Sequence, residues 1–132
     1  MNRAGANPFP WAADYQYSQS VVAEGALVFT AGQGAFGSDG SVSAPGDTEA
    51  QIRLAFANLA AVLEAEGASL RTVVKMTVYL AQASDYDVFK RVRGELFAPP
   101  YPASTAVVGG GFLFEGMLVE MDAVARVGEA RM

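Results

Sequence analysis

With 132 residues, 52% of them hydrophobic and 17% charged, the chain suits one globular domain with a substantial core and is too short for two. A net charge of −5 with no cluster of Lys or Arg argues against a protein that tracks nucleic-acid phosphates, and no segment has the length and apolarity to span a bilayer. The absence of cysteine and histidine removes disulfides, thiol catalysis, soft-metal sites and every catalytic triad built on an imidazole. An all-oxygen site for Mg²⁺ or Ca²⁺ has no EF-hand-like spacing to support it, so no metal is expected. The N-terminal stretch lacks the apolar run of a signal peptide, which makes a cytoplasmic, non-membrane protein the expectation. A hydrophobic fraction this high also suggests that part of the apolar surface is covered by other copies of the chain.

The chain reads as one domain over residues 1–132, of which 1–14 form a partly irregular N-terminal extension. "SVVA" and "ALVFTAG" flank Glu24-Gly25, which predicts a hairpin of Ser20–Ala23 with Ala26–Ala31. Asp39-Gly40 marks a tight turn before Ser41-Val42. Thr48, with Gln51 three residues on, fits a capping box, and Ile52, Phe56, Leu59 and Leu63 form the apolar stripe of the helix that follows. Gly67 is placed to end it. "TVVKMTVYL" alternates as a strand, with Val74, Met76, Val78 and Leu80 on one face and Val73, Lys75, Thr77 and Tyr79 on the other. Ser84 opens a second helix that buries Phe89, Val92 and Leu96 and leaves Lys90, Arg91 and Arg93 largely off the stripe. Prolines 99, 100 and 102 end it. Two strands, Ser104–Val108 and Met117–Arg126, close the chain around "GGGFLFEG". The order predicts an α+β domain, a mixed sheet with two helices on one face and the other face free for neighbouring copies.

Three stretches could carry chemistry. In "LVEMDAVA", strand alternation puts Glu120 and Asp122 on one face, a possible acid/base pair, although a polar face turned to water is the commoner origin of such a pattern. In "FTAGQGAFG", Gly32 or Gly34 could offer bare N–H groups to an anion, although a strand-to-loop turn needing positive φ is the commoner reason for such glycines. Tyr15 and Tyr17 flank Gln16 where a hydroxyl could orient a ligand or cap a core edge.

Taken in order, "YSQSV", "VFTAGQ", "EAQIRLAFANLAAVLEAEGASLRTVVKMTVYL", "YPAST" and "LVEMDAVA" resemble the RidA/YjgF family of reactive-intermediate deaminases over nearly the whole chain. The resemblance implies a chorismate-mutase-like fold and a homotrimer, with the sheets forming a central barrel and ligand clefts between subunits. It implies a cofactor-independent hydrolase of small enamines or imines, releasing a ketoacid and ammonia. Tyr17 matches the family's pocket tyrosine, Gly32 the glycine whose N–H meets the substrate carboxylate, and Glu120 the glutamate that positions or activates water. Lys90 falls where an asparagine is frequent.

One position departs. Deaminating members carry an arginine after Pro-Ala, and here the chain reads Pro102-Ala103-Ser104-Thr105. Losing a charged hydrogen bond of about 1.5–3 kcal/mol weakens carboxylate binding roughly 10- to 150-fold. The substrate range is therefore expected to differ. Ser104 or Thr105 would hydrogen-bond the substrate, and Lys90, Arg91 or Arg93 would meet any carboxylate it carries. A related hydrolysis or tautomerisation, with Phe112, Phe114 and Glu115 shaping the pocket, and a non-catalytic ligand-binding or chaperone-like trimer are the alternatives.

Overall fold

The computed structural model describes residues 2–128. Its elements run β1 (Asn2–Ala4), β2 (Val21–Ala23), β3 (Leu27–Phe29), β4 (Gln33–Gly34), α1 (Thr48–Glu64), β5 (Val73–Leu80), α2 (Tyr86–Leu96), β6 (Ala103–Val108) and β7 (Val119–Arg126). The main sheet has the order β3-β7-β5-β6, with β4 also paired to β7. Only β5 and β6 run parallel within it, as strands joined through a crossover helix must, and the other pairings are antiparallel.

Alternation decides the faces. A bulge between Val73 and Lys75 interrupts the alternation, so Val73, expected on the open face, joins Met76, Val78 and Leu80 of β5 in the core with Val119, Met121, Ala123 and Ala125 of β7. They meet Ile52, Phe56, Leu59 and Leu63 of α1 and Phe89 and Val92 of α2, with the Phe56 and Phe89 rings stacked at 5.7 Å. Each large side chain buried in this way contributes roughly 1.5–3 kcal/mol. The class is α+β, with both helices on one face. Lys75, Thr77, Tyr79, Glu120, Asp122 and Val124 point to the opposite face, beside Phe29, which is 71% exposed.

Several local expectations are corrected. Val21–Ala23 pairs with β1 and Leu27–Phe29 with β7, so Glu24-Gly25 does not close a hairpin. Gly25 has positive φ and Glu24 does not, whereas both tight hairpin turns need it at the first central residue. Residues 2–14, expected to be partly irregular, hold β1 and a short 3-10 turn at Pro10–Ala12 with no regular element between them. The cap of α1 is Asp47, whose carboxylate accepts from the Ala50 N–H at 3.0 Å. Gln51 turns inward instead. It donates to the Gly116 carbonyl at 2.8 Å and accepts from the Leu118 N–H at 2.9 Å, which fixes the entry to β7. Ser84 lies in a 3-10 turn ahead of α2. Leu96 is exposed, and Arg93 is only 2% exposed. Arg93 is four residues after Phe89, so helical spacing puts it on the buried stripe.

Candidate active site

The first cluster lies on the open face of the sheet. Register places Glu120 opposite Tyr79 on one side and Gly34 on the other, with Asp122 opposite Thr77. Around them is a cleft of about 290 Å³, lined by Gly32, Tyr79, Phe112, Glu120 and Asp122 and by Gly109 and Gly111. Gly109, Gly110 and Gly111 all have positive φ, so the triple glycine lets the chain curl over the cleft where a side chain would be strained.

Gly32 is a glycine for a different reason. Its φ is not in the left-handed region, but a Cβ there would stand 1.9 Å from Glu120 Oε2 and 2.8 Å from its Cδ. The Glu120 carboxylate therefore rests directly on bare backbone. The approach is held from both ends. Thr30 exchanges hydrogen bonds with the Ala123 backbone at 3.0 and 3.1 Å, and Asn58 of α1 donates to the carbonyls of Gly34 and Phe36 at 2.9 and 3.0 Å.

Across the cleft the Tyr79 hydroxyl donates to Asp122 Oδ2 at 3.5 Å. The Asp122 charge, then desolvation, raise the Tyr79 phenol above its usual range, with a smaller push from Glu120. This phenol stays protonated and available as a donor at neutral pH.

The second cluster lies on the helix face at the β6 edge. Ser104 pairs with the buried Met76, and so it faces α2. The Arg93 guanidinium donates to Ser104 Oγ and to the Tyr86 hydroxyl, each at 3.4 Å, and lies 5.4–5.8 Å from the ring centres of Tyr17, Tyr86 and Phe89. The N-terminal segment is anchored here as well. The Ser18 hydroxyl donates to the Tyr101 carbonyl at 2.5 Å, its N–H to the Pro102 carbonyl at 3.0 Å, and Gln16 packs on Gly94.

The residues singled out from sequence thus fall in different places. Gly32 and Glu120 share the open-face cleft, whereas Tyr17 and Ser104 lie beside Arg93 on the helix face. Thr105 is on the open face and accepts a hydrogen bond from Lys75 Nζ at 2.6 Å. Lys90 is exposed on α2 and joins neither cluster through a hydrogen bond or ion pair. Arg91 is held by Glu49 on the outer surface. Phe112 lines the cleft, while Phe114 packs on Phe36. Tyr79 was missed as a site residue, because only the register reveals that it stands opposite Glu120. Among the described residues, no three metal-ligating side chains gather, and no helix is long and apolar enough to cross a membrane.

A helix-backed mixed sheet with a glutamate laid on a glycine backbone defines a class of small α+β proteins, and comparison places the chain within it. The profile of the family described as endoribonuclease L-PSP matches residues 9–127, and the chain belongs to this family, the RidA/YjgF family. A RutC family protein of Pyrococcus abyssi is 37% identical, over 83% of this chain and 84% of its own. A protein of Dermatophagoides farinae named 2-iminobutanoate/2-iminopropanoate deaminase is 31% identical, over 82% of this chain and 83% of its own. The crystal structure of RidA from an Antarctic Psychrobacter superposes with a TM-score of 0.71 at 31% identity, covering 95% of this chain and 94% of that one.

Proposed function

We propose that the protein is a cofactor-independent hydrolase of a small imine, or of an enamine that tautomerises to one, working as a homotrimer. The observation that carries this reading is the Glu120 carboxylate seated on bare Gly32 in a cleft that also holds the Tyr79 hydroxyl. Glu120 takes a proton from water as the water oxygen attacks the C=N carbon, and the π electrons move to nitrogen, which gains a proton. The carbinolamine then expels ammonia as its hydroxyl proton is given up, leaving a ketone. The atoms balance as imine plus water giving ketone plus ammonia, with no redox step.

The trimer is supported by the open face. Leu27, Phe29 and Val107 are exposed there beside the polar residues, an apolar surface suited to neighbouring copies. Within one copy Glu120 and Ser104 lie on opposite faces with β5 between their strands. A substrate touching both must sit between two copies. Ser104, where deaminating relatives carry arginine, supports an altered substrate range.

Ammonia release from imines generated in situ tests the reading. Glu120→Gln is expected to lower the rate about 100-fold or more. Full activity in that variant would remove the mechanism. Ligand-induced stabilisation without turnover of any imine or enamine would instead mark a non-catalytic binding trimer.

A further inference from the structure

Arg93 is the most deeply enclosed charge among the described residues, and its surroundings do not neutralise it. The chain holds 14 Asp and Glu side chains, yet among the described residues none lies within 4.0 Å of Arg93. The nearby α2 acid Glu95 is taken up by Arg53 and Arg91. Arg93 Nε is buried with no hydrogen-bond partner, and the two bonds that the guanidinium makes are long, to neutral hydroxyls at 3.4 Å. Three aromatic rings and the C-terminal turn of α2 offset only part of the desolvation cost. A buried charge is ordinarily paired, and one left with orphaned donors is short of an anion.

We infer that Arg93, with Ser104 and Tyr17, forms a binding site for a small carboxylate. The planar fork of guanidinium N–H groups matches a carboxylate in size and geometry. A single cation flanked by neutral hydroxyls suits a monoanion better than phosphate. Arg93 is enclosed, but Tyr17 and Ser104 are both partly exposed, so a small anion reaches it past them from the edge strand β6. The Tyr17 hydroxyl has no hydrogen-bond partner among the described residues and supplies a further donor. Ser104 acquires a specific role: a short side chain at this position leaves the space into which α2 delivers its guanidinium. That the carboxylate belongs to the imine substrate rests on the function proposed above. The anion site itself is measured without turnover.

The test is equilibrium binding, by calorimetry, of 2-oxobutanoate, its neutral amide and inorganic phosphate to the full chain. Wild type is expected to bind the oxo acid well above the amide and phosphate. Arg93→Met should weaken oxo-acid binding roughly 10- to 150-fold, with the amide unaffected. Arg93→Ser combined with Ser104→Arg should restore it, a rescue that a merely structural arginine would not show. Ser104→Asp supplies an internal counter-ion, so it should raise the melting temperature and abolish oxo-acid binding even where Arg93→Met does not fold. Glu120→Gln should bind normally while losing turnover, which separates failure of the anion site from failure of the hydrolase reading. Equal binding of oxo acid and amide by wild type, preferred binding of phosphate, or undiminished oxo-acid binding by Ser104→Asp would each overturn the inference.

Discussion

On the open face of the sheet, Glu120 and Asp122 line a cleft of about 290 Å³ beside a tyrosine and a glycine-rich loop. On the helix face, Arg93 is shut away among three rings. The two settings suit different work. A carboxylate that exchanges protons with water needs access to it, whereas a guanidinium that grips an anion does so more strongly when water is excluded. They are also kept apart. With β5 between their strands, Ser104 and Glu120 are separated by roughly 10 Å across the sheet and by three residues, about 10 Å, along it, and they face opposite sides of it. On the function proposed above a monomer holds two half-sites, and a single small substrate meets both only where the β6 edge of one copy approaches the cleft of another.

Gly32→Ala should divide the halves most sharply. Its Cβ would stand 1.9 Å from Glu120 Oε2, so the carboxylate must swing away. A displacement of about 1 Å in a catalytic group costs on the order of 100-fold in turnover. Binding of a simple carboxylate at Arg93 should stay unchanged, as measured by the same calorimetry. Equal losses in both would show that the clusters are not independent.

Tyr79 offers a finer cut through the open-face half. Tyr79→Phe removes a donor facing the cleft and should lower turnover about 10-fold. The pH profile is more telling. Since Asp122 first and desolvation second raise the phenol above its usual value near 10, activity that needs the protonated hydroxyl should hold until the pH exceeds about 10. Asp122→Asn removes the main cause, so the alkaline limb should move to lower pH. An unmoved limb would take Tyr79 out of the reaction.

The fold was legible because its strongest patterns are periodic. The alternation of Val73–Leu80 and Val119–Arg126 and the stripe of α1 are each read from neighbours in sequence. The hairpin at Glu24-Gly25 failed because pairing partners are a tertiary choice, and β3 gains more from β7 than from β2. The site was legible by halves. Gly32 and Glu120 stood out as residues, but their contact depends on a register that no local pattern encodes. Arg93 was read as lying largely off the apolar stripe and was not separated from Lys90 and Arg91 as a carboxylate partner, although Phe89, Val92 and Arg93 share one face by helical spacing. Charge outweighed position there. The aliphatic stem of arginine packs like a core residue, and the aromatic rings accept its head.

Arg91, two residues from Arg93 on the same helix, supplies the contrast and the smallest expected effect. It binds Glu49 at 2.6 Å, while Arg53 bridges Glu49 at 3.0 Å and Glu95 at 3.1 Å, all four side chains being about half exposed. Hydrogen bonds from Arg91 and then Arg53 lower the Glu49 carboxyl from 4.5 to about 2. The folded value lies below the unfolded one, so the stabilisation is complete above about 4.5 and is lost as the pH falls through about 2. Solvent and salt screen the network, so its contribution is small. Glu49→Gln should therefore shift the melting temperature at pH 7 by less than about 3 °C and flatten its fall between pH 4.5 and 2, as thermal melts across that range would show. Carboxylate binding should not change. A clear loss of binding in Glu49→Gln would mean that the outer ion pairs set the position of α2, making the exposed and buried arginines one device rather than two.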